Sequence, residues 1–179
     1  MHKDCERILF TEEQLKRRIK EVALEVDKVY RDKHPLVVGI LKGSVIFYSD
    51  FIRNLSCPVE LDFMVVSSYG SGTVSMGKLD IKKDLEIDVK GRDIIIVEDI
   101  IDSGYTLAKL KVLLKERGAS SVIIVTLLNK EARREYDIHP DYNCFDIDDE
   151  FVIGYGMDYN EQYRSLPYIG ILKREVYEK

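Results

Sequence analysis

Cysteine is scarce in this chain of 179 residues: Cys5, Cys57 and Cys144 are odd in number, widely spaced and in no metal-ligand pattern. That excludes a disulfide framework, and reduced thiols place the protein in the cytoplasm. Long hydrophobic runs are missing as well. No stretch is long enough to cross a bilayer and no early apolar segment resembles a secretory signal, so neither a membrane partner nor export is expected. Positive charge is not in excess either: 27 Lys and Arg stand against 32 Asp and Glu, a net charge of -5. Binding to nucleic acid through a broad basic surface is thereby excluded, and no nucleic-acid partner is expected. Internal repeats, low-complexity tracts and a Walker A motif are absent. Two Gly-x-Gly triplets, at 70–72 and 154–156, lack the third glycine and the strand-to-helix setting of a dinucleotide fingerprint.

What is present suits one globular domain, residues 1–179, with a small appended lobe: 45% of residues are hydrophobic and 33% charged. Thr11-Glu12-Glu13-Gln14 has the capping-box pattern. Leu15, Ile19, Val22, Val26 and Val29 come next at helical spacing, which predicts a helix ending near Asp32. Residues 36–41 read as a buried strand, and Lys42-Gly43-Ser44 leads from it into a helix carrying Val45, Tyr48, Phe51, Ile52 and Leu55. Residues 59–67 are apolar enough for a central strand. The Gly- and Ser-rich run from Ser68 and Tyr69 to about residue 80 reads as a flexible lid loop between strands that feed one site. Short edge strands over 79–89, a helix from Thr106 to Gly118 and a buried strand over 121–128 complete the regular part.

The chain is organised around residues 94–107. Ile94-Ile95-Ile96-Val97 is a β-branched run fit for a strand covered on both faces. Glu98 and Asp99 then end that strand where an open α/β sheet places its ligand. Asp102-Ser103-Gly104-Tyr105-Thr106 forms a turn at a helix N-terminus, able to offer backbone amides and two hydroxyls to a phosphate. Acids beside a phosphate site are explained by a sugar phosphate, because carboxylates accept hydrogen bonds from vicinal ribose hydroxyls. Any one of these acids alone would read as a cap; their order is what points to a ligand. Further on, Lys130 falls at the end of a strand, on the ligand-bearing edge. The acidic run Asp146-Ile147-Asp148-Asp149-Glu150 lacks the glycine and terminal acid of an EF-hand and reads as a solvated turn.

The stretch 94–107 resembles the phosphoribosyl-pyrophosphate (PRPP) signature of the type I phosphoribosyltransferase family, and nearly the whole chain resembles the 6-oxopurine, or hypoxanthine-guanine, branch of it. That resemblance implies an α/β fold: a central, mainly parallel sheet flanked by helices, with a hood formed by the N-terminal residues and about 130–179, and a lid over about 68–80. It implies a glycosyltransferase of purine salvage, in which hypoxanthine or guanine and PRPP give IMP or GMP and pyrophosphate, with Mg2+ as cofactor. Glu98, Asp99, Asp102, Ser103, Gly104, Tyr105 and Thr106 would bind the ribose phosphate. Lys42, Gly43 and Arg164 would bind pyrophosphate, next to a Leu41–Lys42 peptide that is commonly cis in the family. Lys130 would contact the oxygen at purine C6, Phe151 would stack on the base, the Val152 backbone would read its edge, and Asp158 would complete the purine-binding set. Glu98, Asp99 and Asp158 would bind metal, Ser68 and Tyr69 would begin the lid that closes over the substrates, and the assembly would be a homodimer or homotetramer. Asp102, itself acidic, is assigned to the purine N7 proton rather than to the phosphate. The loop here reads Asp-Ser-Gly-Tyr-Thr where Asp-Thr-Gly is commoner in the family, and Ser103 keeps the hydroxyl.

Three alternatives differ in what they need. A PRPP-sensing regulator that binds nucleic acid needs no base pocket at Lys130 and Phe151–Asp158 and shows no added DNA-binding domain. Adenine, uracil and orotate transferases share the PRPP loop without the Lys130 and Phe151 pattern. A dinucleotide oxidoreductase needs the fingerprint that is missing.

Overall fold

The computed structural model describes residues 1–68 and 79–178. In chain order these form β1 (Cys5–Phe10), α1 (Glu12–Tyr30), β2 (Leu36–Leu41), α2 (Val45–Ile52), β3 (Glu60–Ser68), β4 (Leu79–Lys83) and β5 (Asp93–Ile101). They continue with α3 (Tyr105–Glu116), β6 (Ser121–Asn129), a 3-10 turn (Glu131–Arg133), β7 (Tyr142–Asp146), β8 (Val152–Ile153), β9 (Ile169–Leu172) and α4 (Arg174–Tyr177). Six strands make the main sheet in the order β4-β3-β2-β5-β6-β7, all parallel except the antiparallel edge strand β4. A separate antiparallel sheet, β1-β9-β8, joins the two ends of the chain.

Local sequence explains most of these elements. At the head of α1 the Thr11 hydroxyl accepts from the Gln14 amide at 3.3 Å and the Gln14 side chain accepts from the Thr11 amide at 2.8 Å, the reciprocal bonds of a capping box. Leu15, Ile19, Val22 and Val26 are buried as expected, but Val29 is 53% exposed and Tyr30 takes the next core position. At about 100° per residue the apolar stripe continues four positions beyond Val26, not three. Strand residues divide by parity between two cores. Val37, Ile95, Val97, Val125 and Leu127 pack under α1 and α2, while Leu36, Val38, Ile94, Ile96 and Ile124 pack under Leu107, Leu110 and Leu114 of α3.

Three expectations need correction. β5 does not end at the acid pair: Glu98 pairs with Thr126, Ile100 with Leu128 and Ile101 with Asn129, so the acid pair lies inside the strand. Ile100 and Ile101 are themselves β-branched, and β6 is long enough to pair with them. Residues 142–146, read as irregular, form the parallel edge strand β7 of the main sheet, which leaves β8 and β9 to pair in the small sheet. β3 lies second from the sheet edge rather than at its centre. Tyr69 and most of the expected lid lie outside the described residues; Ser68 closes β3.

Candidate active site

The active-site candidates gather at the C-terminal edge of the parallel strands, where β5 turns into α3. Gly104 is the N-cap of α3 with φ of +83°, a left-handed conformation that costs glycine little. A side chain there would also collide with Ile138 Cγ2 at 2.7 Å and Arg134 Cδ at 3.0 Å. The Ser103 hydroxyl accepts weakly from the Tyr105 amide at 3.4 Å. Around this turn lies a cavity of about 270 Å³ lined by Glu98 and by residues 100–107. It holds the first-turn amides of α3, which have no partner inside the helix, and the Ser103 and Thr106 hydroxyls. An oxyanion fits that donor set.

The acids beside it are held at a cost. Burial pushes the Glu98 carboxyl well above the usual glutamate range, and adjacent Asp99 adds to the rise. Burial raises Asp99 as well, against the Ile100 amide, which donates to Asp99 Oδ1 at 2.9 Å. Glu98 Oε2 is buried without a hydrogen-bond partner, and so is Asp102 Oδ1. Orphaned carboxylate oxygens of this kind call for a ligand that donates hydrogen bonds or carries positive charge. Among the described residues no three ligating side chains converge as a complete metal cage. Two adjacent carboxylates in an all-oxygen setting suit Mg2+, which keeps waters and shares its coordination with substrate phosphates.

A second cavity, about 260 Å³, opens beside the first and is lined by Asp99, Ile100, Asp102, Lys130, Arg133, Glu150, Phe151, Val152, Met157 and Asp158. All four candidate base-binding residues therefore come together, from the end of β6, from β8 and from the residues beside β8. Lys130 is only 7% exposed; its Nζ donates to the Glu150 carbonyl at 3.0 Å and lies 3.6 Å from Asp149 Oδ1. The acidic run 146–150 is exposed at Asp146, Asp148 and Asp149, as a solvated turn should be, yet it also braces the site: Asp149 and the Glu150 carbonyl hold the lysine, and Asp146 accepts from Asn129 Nδ2 at 2.8 Å. Phe151 is 37% exposed, stacked on Tyr177 at 4.8 Å between centroids and edge-on to Tyr159 at 5.6 Å. Tyr177 belongs to no motif and was not legible in sequence; nor was Arg134, whose partners are mostly main-chain atoms.

The Lys42-Gly43 turn meets the loop at 154–164. A Cβ on Gly43 would stand 1.8 Å from Asp99 Oδ2, so only glycine lets the β2 turn touch the β5 acid. The Leu41–Lys42 peptide is cis. Lys42 Nζ pairs with Glu161 Oε2 at 3.1 Å, and Arg164 Nη2 lies 2.8 Å from Asp158 Oδ1 and 3.4 Å from Glu161 Oε2. Arg164 Nη1 donates to the Gly156 carbonyl at 2.7 Å while its buried Nε has no partner. Asp158 Oδ2 accepts from the Glu161 amide at 2.8 Å, so both its oxygens are engaged, unlike those of Glu98.

A parallel sheet whose central strand carries two acids into an amide-lined turn, with a base-sized cavity alongside, defines a sugar-phosphate transferase of the α/β class. A family model described as Phosphoribosyl transferase domain matches residues 8–160. The chain is 48% identical over 179 residues to the hypoxanthine-guanine phosphoribosyltransferase of Streptococcus thermophilus, covering all of this chain and 99% of that one. Its identity to the enzyme of the same name from Bacillus subtilis is 50% over 178 residues, 99% of each. A crystal structure of a hypoxanthine phosphoribosyltransferase from Staphylococcus aureus superposes with a TM-score of 0.96 at 47% identity, over all of this chain and 97% of that one. The chain belongs to the hypoxanthine-guanine phosphoribosyltransferase family.

Proposed function

We propose that this chain transfers the 5-phosphoribosyl group of PRPP to N9 of hypoxanthine or guanine, forming IMP or GMP and pyrophosphate in purine salvage. Family membership supports the reaction. The observation that carries the residue roles is the position of Asp102, which lines both cavities and has a buried Oδ1 without a hydrogen-bond partner.

PRPP lies with its 5-phosphate on the amides and hydroxyls of residues 103–106 and its ribose hydroxyls on Glu98 and Asp99. The base lies against Phe151 and the Val152 backbone, with its C6 oxygen on Lys130 Nζ. N9 attacks the anomeric carbon, the bond to pyrophosphate breaks with its electron pair going to the leaving oxygen, and the carbon inverts. The N7 proton passes to Asp102 as positive charge builds on the base. Lys42, the Gly43 amide and Arg164 receive the pyrophosphate, so Glu161 must give up both cations. Glu98, Asp99 and, through water or oxygen, Asp158 would hold Mg2+. When bound, Mg2+ supplies charge neutralisation for the leaving pyrophosphate.

A single domain, self-association into dimers or tetramers, and a cytoplasmic location complete the proposal. Three free, buried thiols support the location, and among the described residues no helix is long and apolar enough to cross a membrane. The alternative of a PRPP-sensing regulator finds no support. The test is nucleotide formation by purified protein with Mg2+, PRPP and each of hypoxanthine, guanine, xanthine, adenine and uracil. Turnover with hypoxanthine or guanine and none with adenine or uracil is expected; PRPP binding without turnover of any base would overturn it.

A further inference from the structure

Residues 131–137, between β6 and β7, are exposed except for Arg134, which turns inward behind the phosphate loop. Its guanidinium donates to four acceptors. Nε reaches the Asp102 carbonyl at 2.9 Å, Nη2 reaches Asn129 Oδ1 at 2.7 Å and the Ile101 carbonyl at 3.4 Å, and Nη1 reaches the Ile138 carbonyl. The Glu135 and Tyr136 amides donate to the next carbonyl, that of Ser103, at 3.0 and 3.2 Å. Three successive carbonyls, 101 to 103, are therefore all held from the same side.

A trans peptide points its N–H opposite to its C=O. Anchoring those carbonyls therefore aims the amides of Asp102, Ser103 and Gly104 the other way. Arg134 itself is absent from the lining of the phosphate cavity and lines the space on the far side of the loop, with Asp102, Ser103 and Arg133. The same guanidinium grips Asn129, the residue before Lys130, whose own amide donates to the Ile101 carbonyl at 3.0 Å.

We propose that Arg134 is a positioning residue: its fork orients the 102–104 amides toward the 5-phosphate. The proposal rests on the phosphoribosyl-transfer reading of the site. A lysine keeps the charge but cannot reach divergent carbonyls and an amide oxygen together.

The experiment compares Arg134→Lys with Arg117→Lys, since Arg117 makes a two-point ion pair with Asp84, at 2.7 and 2.6 Å, outside the site. Melting temperature and the kinetic constants for PRPP and hypoxanthine are read for each. Arg134→Lys is expected to lower kcat/KM for PRPP about tenfold to a hundredfold, the worth of charge-assisted hydrogen bonds. It is expected to leave KM for hypoxanthine within about threefold, whereas Arg117→Lys moves only the melting temperature. Should Arg134→Lys not fold, Asn129→Ala removes one acceptor and is expected to shift kcat/KM for PRPP in the same direction by a smaller factor. A folded Arg134→Lys with the kcat/KM of the parent protein, or an Asn129→Ala without the shift, overturns the proposal. If the parent protein binds PRPP but makes no nucleotide, the functional reading fails by itself, and the ratio of PRPP affinities measured by calorimetry decides on Arg134.

Discussion

Replacing Asp102 by asparagine tests the proton transfer at the centre of the mechanism. Asparagine has the same shape, so neither cavity changes volume, and Oδ1 is the one side-chain atom of this residue that is buried without a partner. The carbonyl of Asp102 stays with Arg134 whichever side chain the residue carries. What changes is chemistry: an acceptor able to take a proton becomes an amide that cannot. General base catalysis by a placed group contributes about 10²–10⁴-fold. The chemical step should therefore slow by at least about a hundredfold, or about 2.7 kcal/mol in activation free energy, with little change in either KM. The assay is rapid-quench measurement of IMP formation in a single turnover, with enzyme in excess over PRPP, because a steady-state rate also contains product release. Folded stability should be unchanged or slightly higher, since a buried unpaired carboxylate is lost. A single-turnover rate equal to that of the parent protein would refute the assignment of Asp102 as base.

Other perturbations separate the remaining roles. Lys130→Ala removes a nearly buried ammonium that holds the Glu150 carbonyl at 3.0 Å; KM for hypoxanthine should rise about tenfold or more and discrimination against adenine should fall, as seen by assaying both bases. An unchanged base preference would exclude Lys130 from recognition. Gly43→Ala forces a Cβ to within 1.8 Å of Asp99 Oδ2, so turn or acid must shift, and kcat/KM for PRPP should drop about a hundredfold. Wild-type kinetics in that variant would show that the turn does not abut the reacting groups. Asp27, buried on α1, lines neither cavity and accepts from the Ser56 hydroxyl at 2.6 Å and the Ser56 and Cys57 amides at 2.8 and 2.9 Å; these donors hold its carboxyl down to about 2. A depressed pKa stabilises the fold above the ordinary aspartate range and loses that contribution as pH falls toward 2. Urea unfolding should therefore show Asp27→Asn less stable than the parent by about 2 kcal/mol near pH 6, with the gap narrowing by pH 3; a gap independent of pH would refute the linkage.

Features set by near neighbours in the chain were legible from the residues alone. The capping box at Thr11, the apolar strand runs at 36–41 and 94–97 and the existence of a turn at 102–106 were each readable from residue type and spacing within a few positions. β1 and β7 were not legible, because each is short and paired on one side only: β1 with β9 at the other end of the chain, and β7, at the sheet edge, with β6. The acids at 98 and 99 were placed at the end of β5 for a related reason: only the length of β6 shows that pairing continues to Ile101.

Sequence alone thus determined the reaction class, since the order of strand, acid pair, Asp-Ser-Gly-Tyr-Thr turn and helix is itself a local structure with a chemical use. Tertiary structure alone decided which groups are left wanting a partner. Glu98 Oε2 and Asp102 Oδ1 are orphaned, Lys130 is buried against Glu150, Gly43 is pressed on Asp99, and Arg134 is closed on the carbonyls behind the loop. Burial and hydrogen-bond satisfaction depend on what the rest of the chain brings within about 3 Å, and those neighbours are mostly tens of residues away in sequence.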